Sequence, residues 1–181
     1  MKKDLDILQI LGHSRHDWLN FVQLIKGNLD LKKYDRLEAI IQEIIQQTQN
    51  ESKLSNLQIP QFASELLLFN WENSYNFQIK FEVVGATQNL AQFEGSLIKW
   101  LDDFSFALNE SCQQFGDNQL MIIIELIDEK CPQITFDFHG NLIDVTKIKI
   151  FLENKNNWNE QLKKVESYIS EDGFYFTFKL T

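Results

Sequence analysis

The sequence predicts an α+β protein built from two modules: an N-terminal helical hairpin over residues 1–58 and a C-terminal two-layer α/β sandwich over residues 59–181. Three observations predict it. Apolar residues recur at helical spacing through two consecutive segments that end near Leu57; Ile59-Pro60 then interrupts the pattern; and strand-type alternation mixed with shorter helical stretches begins at Gln78.

The first helix runs from about Asp4 to Leu31 and the second from about Asp35 to Leu57, the latter carried by Leu37, Ile40, Ile41, Ile44, Ile45 and Leu54. Each is about 37 Å long at 1.5 Å per residue, so the short polar link Lys32-Lys33-Tyr34 folds them back antiparallel. Two helices cover each other's apolar stripes poorly, and these stripes hold Trp18, Phe21 and paired isoleucines. A second hairpin from another copy is the natural cover, which predicts a dimeric four-helix bundle. Docking of both helices on the C-terminal module of the same chain is the intramolecular alternative.

Proline disfavours helical geometry at the residue before it and is well suited to open a helix, so Ile59-Pro60 ends one element and starts the next. The pattern then predicts a helix over Gln61 to Tyr75, a strand over Gln78 to Val84 and a longer helix over Gln92 to Phe115. Strands over Gln119 to Ile127 and Gln133 to Phe138 follow, joined by a turn at Asp128 to Pro132. A helix over Val145 to Glu153 precedes two last strands, Lys163 to Ile169 and Phe174 to Leu180, which flank Ser170-Glu171-Asp172-Gly173. Helices and a mainly antiparallel sheet in this order form a two-layer sandwich.

Composition narrows the function. A formal charge of -9 with no basic face argues against nucleic acid and for a protein partner. The longest apolar run, Leu120 to Ile127, is broken by Glu125 and too short for a bilayer, so the expectation is a soluble, cytoplasmic protein with no membrane partner. Cys112 and Cys131 form neither a CxxC pair nor a ligand-spaced set, and are expected to be reduced and packed.

The residue that offers chemistry is His16, within Ser14-Arg15-His16-Asp17-Trp18-Leu19-Asn20. At about 100° per residue, Gln9, Gly12, His13, Asn20, Gln23 and Gly27 share its face, whereas Ile7, Leu11, Trp18, Phe21, Val22, Ile25 and Leu29 lie opposite. The imidazole therefore points to water or to a partner. Imidazole is substantially neutral near neutral pH and is a good nitrogen nucleophile; attack on phosphorus gives a labile phosphoramidate suited to onward transfer. Asp17 is placed to orient the ring or take its proton, although a solvated carboxylate accounts for it equally well. Asn20, one turn along, is placed to hydrogen-bond the reacting group. Arg15, Leu19, Gln23 and Lys26 are expected to meet the partner. His13 and His16 lack a third ligand, so no metal is expected.

Leu11-Gly12-His13-Ser14-Arg15-His16-Asp17-Trp18-Leu19-Asn20, then Gln23-Leu24-Ile25-Lys26-Gly27-Asn28-Leu29 and Lys33-Tyr34-Asp35-Arg36, resemble the sporulation initiation phosphotransferase B family. Glu51-Ser52-Lys53-Leu54-Ser55-Asn56-Leu57, Phe69-Asn70-Trp71 and Asp137-Phe138-His139-Gly140 extend the likeness. The resemblance implies a homodimer whose His16 accepts phosphate from the aspartate of a phosphorylated single-domain response regulator. It then passes the group to the aspartate of a sporulation transcription-factor response regulator, with magnesium supplied by the regulator and no cofactor of its own. It also relates the chain to sensor histidine kinases, whose His-acid-x-x-Asn pattern His16-Asp17-Trp18-Leu19-Asn20 echoes, and makes the sandwich a degenerate ATP-binding domain. The DxGxG motif and a glycine-rich lid are missing from it, so ATP use is not expected. The alternative function is a non-catalytic dimeric adaptor that binds and sequesters a response regulator.

Overall fold

The computed structural model describes residues 7–71, 75–128, 131–170 and 173–181. The chain divides into two compact units, Met1–Ser52 and Lys53–Thr181.

The first unit is the hairpin. Helix α1 spans Ile7–Asp30 and α2 spans Tyr34–Ser55, its last residues belonging to the second unit; the start expected at Asp4 lies outside the described residues. The reversal is made by backbone chemistry that the polar link supplies. Asn28 donates to the Leu24 carbonyl at 2.8 Å while its own carbonyl accepts from Lys33 N–H at 2.9 Å, and Lys32 takes a left-handed φ of 54° between them. These bonds satisfy carbonyls that the end of a helix otherwise leaves unpaired. The less exposed positions of α1 include Ile10, Asp17, Phe21, Ile25 and Asn28 along one stripe, with Gly12, His13 and Ser14 also partly covered, and those of α2 include Leu37, Ile40 and Ile44 along one stripe. These two stripes form the seam of the hairpin.

The second unit opens with α3, Pro60–Leu68, whose first residue is the proline that the sequence marks as a helix opener. A 3₁₀ turn, Phe69–Trp71, ends it short of the expected Tyr75. Strand β1, Gln78–Gly85, leads to α4, Glu94–Asn109; then come β2, Gln119–Leu126, β3, Gln133–His139, α5, Val145–Glu153, β4, Leu162–Ile169, and β5, Gly173–Leu180. The sheet order is β1-β2-β3-β5-β4, with β1 parallel to β2 and the other pairs antiparallel. Parts of the two expected turns, residues 129–130 and 171–172, lie outside the described residues.

One face of the sheet is apolar because strands alternate with period two. Leu120, Ile122, Ile124, Ile134, Phe136, Phe138, Phe174, Phe176 and Phe178 are all buried, and Leu97, Trp100, Leu101, Phe104 and Leu108 of α4 with Ile148, Phe151 and Leu152 of α5 complete the same core. Trp100 sits at its centre, with ring centroids at 4.9 Å from Phe104, 5.0 Å from Phe136 and 5.1 Å from Phe178. Phe136 and Phe176 are register partners whose rings stack at 5.0 Å.

Helix α4 stops at Asn109, six residues before the Phe115 that the periodicity predicts. The reason is a non-local competitor: Cys112 forms an isolated bridge with Leu142, Gln113 N–H donates to the Asn141 carbonyl at 2.9 Å, and Ile143 N–H donates to the Ser111 carbonyl at 2.7 Å. The backbone groups that would have extended the helix are used in pairing instead. Asn118, 4% exposed, pins the same corner by donating to the Asn76 and Gln113 carbonyls, both at 2.8 Å, and accepting from Asn141 N–H at 2.9 Å. Gly140 is required there, because a Cβ would stand 2.9 Å from both the Asn118 Cα and the Phe138 ring.

The free edge of β1 is closed by side chains. Asn70 accepts from Ile79 N–H and donates to the Ile79 carbonyl, both at 2.8 Å, copying one rung of a ladder, and Lys53 donates to the Val83 carbonyl at 3.0 Å. Burial pushes the Cys112 thiol up to about 12, so it stays protonated and unreactive at neutral pH. Replacing Phe136 with Ala is expected to destabilise the protein by about 3–5 kcal/mol, the usual cost of emptying a buried aromatic site; urea denaturation followed by the near-ultraviolet signal of Trp100 measures it.

Candidate functional site

Helix α1 carries every chemistry-bearing residue singled out in the sequence. His16 is exposed, its side chain 72% accessible, and the helix is unbroken for more than two turns on either side of it. A stiff, continuous helix fixes the Cα–Cβ direction of the ring.

The circumference of α1 divides into three. Taking His16 as zero and about 100° per residue, the seam residues Ile10, Asp17, Phe21, Ile25 and Asn28 lie at about 100–180°. A second apolar stripe, Leu11, Trp18, Val22 and Leu29, lies at about 120–160° in the other direction. In the single chain this stripe is uncovered, with exposures of 48%, 56%, 55% and 50%. Trp18, expected in a bundle core, is in edge contact with Phe21 at 6.2 Å but otherwise open. The remaining third holds Gly12, His16, Leu19, Asn20, Gln23 and Gly27.

Asp17 and Asn20 both reach His16, and both reach the same atom. Asn20 Nδ2 is 3.2 Å from His16 Nδ1, and Asp17 Oδ1 is 3.5 Å from it. These contacts demand opposite tautomers. A carboxylate only accepts, so Asp17 requires a proton on Nδ1; the Asn20 amide nitrogen only donates, so it requires a lone pair there. With Nδ1 protonated, the lone pair of the neutral ring sits on Nε2. With Nδ1 bare, Nε2 carries the hydrogen and cannot attack. Rotation of the Asn20 amide, which presents Oδ1 in place of Nδ2, reconciles both contacts with the protonated Nδ1.

Arg15, Leu19 and Lys26 lie along one flank of His16, at about 60–100° on the side away from the seam, and Gln23 lies nearly in line with it two turns on. All four are exposed. The site is thus bordered by a carboxylate on the seam side and by two cations on the other. His13 shares the face, half-buried. Among the described residues no group of three or more His, Cys, Asp or Glu is arranged to hold a metal ion, and no helix is long and apolar enough to cross a membrane.

Two polar side chains of the second unit have structural employment. Asn109 accepts from Asn76 N–H at 2.7 Å, and His139 ends β3 beside Asp137, with Nε2 3.3 Å from its carboxylate. A recess of about 390 Å³ in that unit is lined by Phe69, Asn70, Tyr75, Asn76, Asp117 and neighbours, and includes none of the residues around His16.

The family model described as the alpha-helical domain of the SpoOB-type sensor kinase matches residues 1–57, and the one described as sporulation initiation phospho-transferase B, C-terminal, matches residues 58–177. The chain belongs to the sporulation initiation phosphotransferase B family. It is 36% identical over 140 residues to sporulation initiation phosphotransferase B of Bacillus subtilis (strain 168), an overlap of 77% of this chain and 72% of that relative. Among solved structures, it aligns with the histidine kinase ThkA in complex with the response regulator protein TrrA at 18% identity and a TM-score of 0.42, covering 95% of this chain and 60% of that one. The blue-light activated histidine kinase EL346 of Erythrobacter litoralis aligns at 9% identity and a TM-score of 0.45, over 99% of this chain and 61% of that one. The chain therefore spans about three-fifths of the length of these kinase chains.

Because His16 and Asn20 are exposed, replacing either with Ala is expected to change stability by no more than about 0.5 kcal/mol. Thermal unfolding of the two variants beside the unsubstituted protein checks this.

Proposed function

We propose that the chain is a phosphorelay phosphotransferase in which His16 takes a phosphoryl group from the aspartyl phosphate of a single-domain response regulator. It then gives the group to the aspartate of a second regulator, a sporulation transcription factor. The observation that carries this is the pair of contacts at Nδ1 of an exposed histidine on a continuous helix; family membership supports it.

In the forward step the Nε2 lone pair attacks phosphorus, an N–P bond forms, and the bond from phosphorus to the aspartyl oxygen breaks, releasing the carboxylate. The ring becomes a phospho-imidazolium that keeps its proton on Nδ1, where the Asp17 carboxylate stabilises the positive charge. Transfer to the second regulator is the reverse of this step: its carboxylate oxygen attacks, the N–P bond breaks and the neutral ring is restored. Phosphoryl transfer needs mainly alignment and charge neutralisation, and magnesium held by the regulator supplies the latter. Arg15 and Lys26 provide local positive charge on a chain of formal charge -9 and steer an acidic regulator toward His16, while Leu19 and Gln23 supply contact surface.

We propose further that the working form is a homodimer. A second hairpin laid on Leu11, Trp18, Val22 and Leu29, together with Ile41 and Ile45 of α2 at 39% and 43% exposure, buries the uncovered stripe and leaves His16 outside. Transfer without ATP is supported by the backbone after β3. Residues 141–143 pair directly with 111–113, and the one glycine of the segment, Gly140, is used to pack against Asn118. The corner carries no glycine run that would bring amides to a triphosphate.

Incubation with a phosphorylated regulator and magnesium is expected to give an acid-labile, base-stable label on the wild-type chain and none on His16→Ala. Asp17→Ala, which removes the acceptor for Nδ1–H and its negative charge, is expected to slow transfer by about 10²-fold. Label that persists on His16→Ala sinks the proposal, and a regulator that binds both forms without any transfer establishes the adaptor in its place.

A further inference from the structure

The recess of about 390 Å³ in the second unit, beside the first residues of β1 and β2, offers carboxylate, amide and ring faces but no cation. Part of its lining is aromatic: the Phe69 ring stacks on Tyr75 at 4.4 Å, and both meet Phe77, at 5.2 and 5.6 Å. Part is polar: Asp117, with Gln78 and Gln119, which are register neighbours in the parallel pair. Among the described residues these three side chains have no hydrogen-bond or ion-pair partner, and no Lys, Arg or His lines the recess.

Phe115 lines the same recess and is doubly unusual. Its backbone is left-handed, with φ of 59°, and its side chain is wholly exposed. That conformation is unfavourable for a bulky residue and easy for glycine, yet the glycine of this loop stands one place later, at 116, where a Cβ would meet the Asn118 side chain at 3.0 Å. The ring is thus held out in water at a backbone cost that no ring contact among the described residues offsets.

We propose that the recess is a docking site for an arginine side chain on the basic surface of a partner protein. A guanidinium is planar and carries five N–H donors and no acceptor. Two donors suit the Asp117 carboxylate, the others suit the Gln78 and Gln119 side-chain oxygens, and the flat face stacks on an aromatic ring. Lysine has no flat face, and an anion finds no cation here. The second unit holds 18 of the chain's 26 Asp and Glu and 10 of its 17 Lys and Arg, so -8 of the formal charge of -9 lies there and draws a basic surface. A small molecule seated in the recess leaves the outer face of Phe115 wet, whereas a protein that inserts an arginine covers it, as interfaces cover their aromatic anchors.

The test follows the backbone amide shifts of the isotope-labelled full chain at about 0.15 M salt, which screens general attraction to a negative protein. The probes are a capped pentapeptide with arginine at its centre between two leucines, the same peptide with lysine, and capped arginine alone. The arginine peptide is expected to give saturable shifts at residues 75–78 and 115–119, and the other two probes to bind about tenfold more weakly. Asp117→Ala is expected to weaken the arginine peptide about tenfold. Phe115→Gly, which relieves the left-handed backbone, is expected to weaken it about fivefold without lowering the thermal midpoint. No saturable shift, equal binding of the lysine peptide, or full binding by Asp117→Ala overturns the inference. Capped arginine that binds as tightly as the peptide makes this a small-molecule site and overturns the protein partner. A midpoint lowered by several degrees in Phe115→Gly gives the ring a structural role and overturns the inference as well.

Discussion

The constraint on which the rest depends is the angular division of a single helix. Helix α1 has one apolar stripe turned to α2, a second left uncovered, and a remaining third on which His16 stands. A helix in a four-helix bundle has two neighbours and one free side, and the three sectors of α1 match those requirements in angle as well as in polarity. A shift of the histidine by one position, about 100° round the helix, would carry it either to the edge of the seam or toward the Trp18 stripe. Reactivity here begins as a question of placement.

The second constraint acts at Nδ1. Two side chains contact one nitrogen, and in the neutral ring a lone pair lies on Nε2 only when Nδ1 carries the hydrogen, the tautomer from which Asp17 is able to accept. Asp17 belongs to the seam side of the helix, half-buried, so its carboxylate is held beside the ring from the edge of the hairpin. The second unit makes a different contribution. Its aromatic core, centred on Trp100, supplies packing, and its asparagines close a strand edge and a corner between segments.

What was legible in the sequence was what short-range periodicity encodes. The two helices of the hairpin, the exposed His16, the proline that opens α3, the positions of β2, β3 and β5 and the whole of α5 follow from spacing alone. What was not legible depends on partners far along the chain. The early end of α4 is set by residues 141–143, about thirty positions on, through backbone pairing that no local pattern records. The Asn70 clasp on Ile79 and the Asn118 corner are likewise side-chain to backbone bonds between segments, and asparagine in a loop carries no mark of which backbone it will meet. The contact of Asp17 with Nδ1 was visible only as adjacency, because the helical wheel sets the two Cβ directions about 100° apart and the side chains turn back toward each other.

The most direct measurement of the central claim is the rate at which diethyl pyrocarbonate modifies each histidine of the native, assembled protein, resolved by peptide mass. The account predicts that His16 reacts about as fast as an unhindered imidazole while the hairpin is assembled, because both apolar stripes are turned elsewhere. A His16 that is protected in the assembled protein and becomes reactive only on unfolding would contradict it.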